Sequence, residues 1–157
     1  MGNTAQTEYR DAVYRALERF QFIEEILRVY LDLAIQIAKI ELKPYFPVNL
    51  TKKDLSKLPL GKLVQMFSQV NGNTALRSEL KNVTPDRNHV AHQSMLFTLG
   101  ELEDDAHISR RTQETNAIAD HAKDVHEALL DERYELQRAL TRLKANKKRA
   151  QSGSRGS

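Results

Sequence analysis

Arg87-Asn88-His89-Val90-Ala91-His92 gathers a fixed cation, a carboxamide and two imidazoles within six residues. That set suits a phosphate diester. Arginine presents a permanent charge and a planar fork of donors that matches two phosphate oxygens. Histidine, with an ordinary pKa of about 6.5, accepts or releases a proton near neutrality. Together they suit cleavage of RNA, which carries its own nucleophile. Attack of a 2′-hydroxyl oxygen on the adjacent phosphorus expels the 5′ oxygen, leaving a 2′,3′-cyclic phosphate and a 5′-hydroxyl. The protein must move a proton and stabilise oxyanion charge, and it needs no metal for either. In this reading His92 is general base or acid, Arg87 clamps the phosphate, and Asn88 orients His92 or the ribose. His89 either contacts substrate or marks a polar helix edge. The competing reading pairs Arg87 with a nearby carboxylate and leaves His92 as a packed or solvated helix residue.

The residues ahead of this set read as a helix start. Thr84 suits an N-cap, Pro85 the first helical position, and Asp86 the positive end of the dipole. Free backbone donors there would add to an anion site. The pattern predicts a motif helix over about 85–99, ended by Gly100. At about 100° per residue, Phe97, Val90, Ser94 and Ala91 share one flank with Arg87. Met95, Asn88, Leu99, His92 and Leu96 share another. Both flanks are largely apolar, so one can pack in the chain's own bundle and the other needs a second cover. A second subunit across a two-fold axis supplies it; the alternative cover is residues 104–145.

Chance alone gives a bare Arg-x4-His in roughly 0.4 chains of this composition, and Asn after Arg lowers that to about 0.02. Arg87-Asn88-x-x-x-His92 resembles the R-N-x-x-x-H form of the Arg-x(4–6)-His motif of HEPN domains. The resemblance extends to element layout over roughly residues 8–145. It implies an all-α, antiparallel helix bundle with two long helices and short central helices. It also implies a homodimer with a composite site, and for many members a metal-independent endoribonuclease without a cofactor. Toxins and defence effectors belong to the group, so an antitoxin or regulatory protein is an expected partner. Some members carry a tyrosine two residues after the histidine as a modification target. Ser94 stands at that position, which leaves such regulation unsupported there.

The rest of the composition is consistent with one domain. The chain has 157 residues, 40% hydrophobic and 29% charged, enough to bury a core. It has no cysteine, which removes disulfides, zinc-thiolate sites and thiol nucleophiles and is compatible with a reducing cytoplasm. Met1–Arg10 has no apolar core of a signal peptide, and the apolar stretches are too short to span a membrane. A cytoplasmic protein is the expectation. The His89-x-x-His92 pair lacks a third ligand, so no metal site is expected.

Net charge is +3, unevenly spread. Residues 133–157 carry eight Lys/Arg against Glu135 alone, leaving sixteen bases against twenty acids before them. Lys147, Lys148 and Arg149 are therefore candidate RNA-binding residues, acting through phosphate charge without reading sequence. A solvated helix end whose cations complement the dipole is the other reading. We expect a helical domain over 1–146 and a basic, Gly/Ser-containing tail over 147–157.

Helical periodicity places the remaining elements. Val13, Leu17, Phe20, Ile23, Leu27 and Leu31 predict one long helix over 8–43, stopped by Pro44 and Pro47. A lysine-bearing loop follows, then a short helix over 60–70 with Leu63, Val64, Phe67 and Val70 inward. Asn71-Gly72-Asn73 is a turn, after which Thr74 can cap a short helix to Leu80. Ala122, Val125, Leu129, Leu136 and Leu140 predict a last long helix from about Asp104. Its histidines, His107, His121 and His126, read most simply as solvated.

Overall fold

The computed structural model describes residues 4–98 and 104–153, with the side chains of 96–98 excepted. Five helices account for the described architecture: α1 (Thr4–Leu42), α2 (Lys52–Ser56), α3 (Leu60–Val70), α4 (Thr74–Thr98) and α5 (Asp105–Gly153). The fold is an all-α bundle. Among the described residues no helix is long and apolar enough to cross a membrane.

α1 and α5 form the principal seam. At about 1.5 Å per residue they extend roughly 58 and 74 Å. Alanines at 12, 16, 119 and 122 are nearly fully buried and allow close approach. Phe20, Ile23, Leu27, Val125 and Leu129 fill the space around them. The contacts fix direction. Arg15 reaches Asn116, Lys144 reaches Gln36, and Lys147 reaches the Ile40 carbonyl, so the two long helices run parallel. The antiparallel partner is α4, which sets Asn71–Asn73 beside Tyr30 and Glu132 and sets Glu79 beside His121. An up-down-up path requires this: one reversal leads into α4 and a second leads out.

The turn between α3 and α4 is the polar centre of the bundle. Asn71 is only 6% exposed, although it sits in a turn. Its Nδ2 donates to the Tyr30 hydroxyl (3.0 Å) and to Glu132 (2.8 Å), and its Oδ1 accepts from the Asn73 backbone (2.7 Å). Asn73 donates to Glu132 and caps α4 by accepting from the Leu76 N–H (3.1 Å). Asn73, not Thr74, is thus the cap. Burial raises the Tyr30 phenol pKa; the Asn71 amide opposes this and the Glu132 charge adds to it.

Several sequence expectations change in the folded chain. Val70, expected inward, is 55% exposed, although Phe67 and Asn71 on either side of it are buried. α5 stays helical to Gly153, through residues expected to form a tail from 147. The histidines of α5 also have partners. Asp104 accepts from the His107 backbone and contacts its ring, capping the helix start. His121 contacts Glu79 at 2.5 Å, and the half-buried His126 stacks on Phe22 with ring centroids 5.5 Å apart. The expected stop at Gly100 lies outside the described residues.

Two measurements test this packing. Asn71→Ala strips donors from Tyr30 and Glu132 in a buried site and should lower unfolding free energy by about 2–3 kcal/mol, read from denaturant midpoints. The second concerns His126, whose pKa is lowered by burial first and by the Arg19 charge second, against a raising effect of Glu127. Its folded form binds protons less readily than the unfolded chain, so stability should fall as pH drops below about 6.5. His126→Phe keeps the ring on Phe22 and should flatten that acid-side slope, measured by thermal unfolding between pH 5 and 8.

Candidate functional site

The Arg87–His92 set lies in the middle of α4, not at a helix start. Helical structure runs unbroken from Thr74 to Thr98 with Pro85 inside it. Proline lacks the N–H that would reach the carbonyl of Lys81, and its ring crowds that carbonyl. Here Pro85 and Lys81 are both on the exposed side, where water can serve the freed carbonyl. Buried Leu76, Leu80, Val83 and Val90 hold both halves of the helix to the core, and this packing overrides the local break. Thr84 does not cap a helix; it packs toward the first turn of α3, where a Cβ added at Gly61 would meet it at 3.8 Å. The expected backbone anion site ahead of Arg87 is therefore absent, since those N–H groups belong to the helix.

Arg87, Asn88, His89 and His92 are all exposed. The Arg87 guanidinium donates to Asn88 Oδ1 at 3.3 Å. Among the described residues no carboxylate comes within ion-pair distance of Arg87. Two clefts of about 510 and 490 Å³ meet at this residue. One runs between α1 and α4, past Leu17, Phe20, Glu24, Arg28 and Ala91. The other lies against the first turn of α3, past Leu60, Gly61, Thr84 and Asn88.

Glu24 borders both clefts; the sequence allows Glu24 and Glu25 of the first helix to face the site, although it favours a solvated face for them. Its visible signal was the Glu24–Arg28 pair at i,i+4, which reads as an ordinary helix-surface pair. In the folded chain Arg28 pairs with Glu24 and with Glu25 (2.7 Å) and leans toward the Leu58 carbonyl (3.4 Å). Arg28 is shared by Glu24 and Glu25, so the Arg28 cluster keeps one net negative charge near Arg87, although Arg87 itself makes no ion pair among the described residues.

His92 and His89 line neither of these clefts. His92 is displaced from Arg87 by about 140° around α4 and roughly 7.5 Å along it. It shares its flank with Asn88 and with Met95, which is 63% exposed. Of the sequence-derived residues, the fold brings Arg87 and Asn88 into contact and leaves the imidazoles apart within one chain. The second cover expected for this flank is not provided by α5 at Asn88, His92 or Met95. Leu96 and Leu99, the flank's other apolar residues, lie outside the described side chains.

The basic end also resolves into separate roles. Lys147 donates to the Ile40 carbonyl near the C-terminus of α1, and Lys144 donates to Gln36 (3.3 Å). Lys147 therefore performs the dipole-complementing role expected of a cation at a helix end. Lys148 and Arg149 are exposed and make no ion pair among the described residues.

Among the described residues no three His, Cys, Asp or Glu side chains come together in a way that could hold a metal ion. The chain matches no protein-family model, no curated protein and no solved structure.

The position of Pro85 gives a direct test. At a first helical position, Pro→Ala would be neutral or slightly destabilising. Inside a helix, Pro85→Ala restores a hydrogen bond and relieves the clash with the Lys81 carbonyl. After allowing for the looser unfolded chain, stability should rise by about 2 kcal/mol, read from the urea midpoint.

Proposed function

We propose that this chain is a HEPN-type, metal-independent endoribonuclease that works as a homodimer. The observation that carries the reading is the exposed outer side of α4, where Asn88 and His92 share a flank with Met95 and Arg87 stands exposed next to that flank, none with a carboxylate partner among the described residues. Cations and imidazoles kept for structure usually have a partner, as His107, His121 and His126 do here. Among the described residues Arg87 has only Asn88 beside it, and His89 and His92 make no such contact.

Within one chain the two groups diverge, so the composite arrangement is integral to the proposal. Two α4 helices packed across a two-fold axis would cover Met95 and set His92 of one copy toward Arg87 of the other. His92 removes the 2′-hydroxyl proton, or donates one to the departing 5′ oxygen. Arg87 offsets the charge that builds on the non-bridging phosphate oxygens. Asn88, already hydrogen-bonded to Arg87, holds the guanidinium in place as well as reaching ribose or imidazole. The role in the cell would be that of a toxin or defence effector held by a partner protein.

A second reading is supported by the divergence of Arg87 and His92 in the single chain: a non-catalytic helical module that binds RNA or regulates a partner. Cleavage separates the two. In EDTA, wild type should cut single-stranded RNA to 2′,3′-cyclic phosphate ends, and Arg87→Ala or His92→Ala should each lose about 10²–10⁴-fold in rate. Mixing the two inactive variants should then restore about a quarter of wild-type activity, because half the re-paired dimers carry one intact composite site. Wild type and both variants cutting alike, or none cutting at all, would leave the catalytic assignment without support.

A further inference from the structure

The parallel course of α1 and α5 sets two helix C-terminal regions side by side, and the chain leaves exposed aromatic rings there. α1 ends at Leu42, whose carbonyl accepts from the Tyr45 N–H (2.8 Å) and the Phe46 N–H (3.0 Å). This tight turn holds Tyr45 at 80% exposure and Phe46 at 55%. The Lys147–Ile40 bond sets the register, so Tyr45 and Phe46 lie level with the next turn of α5, which carries Lys148 and Arg149. Exposed aromatic residues are usually scattered. Two adjacent rings beside a one-sign charge cluster call for an explanation.

The charge is lopsided. Residues 139–153 contain five Lys/Arg and no acid, and Lys39 and Lys43 stand at the adjoining end of α1. The acids nearby are Glu41 and Asp54. Asp54 is engaged in the α2 capping box with Thr51 (2.9 and 2.6 Å) and feels the charges of Lys57 and Lys39. Dipole complementation needs few of these cations, and Lys147 supplies it at the end of α1.

We infer that Tyr45 and Phe46, with Lys148 and Arg149, form a binding platform for single-stranded RNA, separate from the α4 motif. Bases stack on the two rings and the cations follow the phosphates. Every base has a π-face, so such a platform tolerates many sequences. An anionic membrane is the competing occupant for aromatic and basic residues. It fits less well, because residues 144–153 are exposed throughout and α5 has no apolar face there to insert. Along α1, the level of Ile40 is about 24 Å from that of Glu24 beside Arg87, so one strand can engage both regions. The inference rests on the proposed activity only for the choice of RNA as ligand.

The test uses the full chain and a fluorescent single-stranded 2′-O-methyl oligonucleotide, which has no 2′-hydroxyl and cannot be cut by internal attack. Binding is followed by anisotropy at several salt concentrations. The doubly substituted Tyr45→Ala, Phe46→Ala protein should bind at least about five-fold more weakly with an unchanged salt slope. Lys148→Glu with Arg149→Glu should instead make the slope shallower. All four positions are exposed, and unchanged thermal unfolding would confirm intact folds. Wild-type affinity in the aromatic variant would overturn the inference. So would tighter binding of wild type to vesicles of one part phosphatidylglycerol to three parts phosphatidylcholine, lost in that same variant. Platform binding without cleavage of ordinary RNA would sustain this inference and count against the nuclease reading alone.

Discussion

A carboxamide in a turn holds the three long elements of this bundle in register. Asn71 donates to a tyrosine of α1 and a glutamate of α5 while accepting from the first backbone N–H of the segment that starts α4. A buried group with this many obligations admits few alternative placements, because any slip of one helix leaves a polar atom unpaired in a dry site. Apolar seams tolerate sliding by a turn more readily, since one leucine can replace another. The Tyr30–Asn71–Glu132 junction therefore sets which levels of α1, α4 and α5 face each other. Through that register it decides that Arg87 stands beside Glu24 and Lys147 beside Ile40.

The consequences differ at the two ends of the molecule. Toward the motif, α4 runs antiparallel to α1 and turns its buried stripe of Leu76, Leu80, Val83 and Val90 inward. Helix geometry then commits Asn88, His92 and Met95 to the outside, whatever their chemistry. Arg87 lies between these flanks, at the mouth of two clefts that Glu24 also borders, with Glu24 paired to Arg28. At the opposite end, two parallel helices direct their partial negative charges the same way. Basic residues are favoured there on electrostatic grounds alone, and Lys147 shows the effect. The surplus beyond that need, next to two bared rings, is what distinguishes this end from an ordinary helix terminus.

The stretch from Thr84 to Asp86 shows how local and global preferences can part. Every residue there favours a helix start: a hydroxyl cap, a proline, an acid. The chain instead continues a helix begun ten residues earlier at Asn73. A proline break costs about 3 kcal/mol, whereas apolar anchors on either side at Leu80, Val83 and Val90 together contribute more than that through burial.

Periodicity in the chain was sufficient to establish an all-helical bundle, the extent of α1 and α3, the 71–73 turn and a long closing helix, because apolar spacing near 3.6 residues is a local property. The Arg-Asn-x-x-x-His set was likewise visible as chemistry. Its setting was not. Whether Thr84 caps a helix or lies within one, whether Glu24 adjoins Arg87, and whether Lys147 is free or bound all depend on residues tens of positions away. So does the placing of Tyr45 at the end of the bundle that carries the basic residues of α5, which follows from two helices running in the same direction. Spacing reports which face of a helix is apolar; only the packed bundle decides what stands opposite that face, because partners are chosen by the burial of the whole core and not by neighbours along the chain.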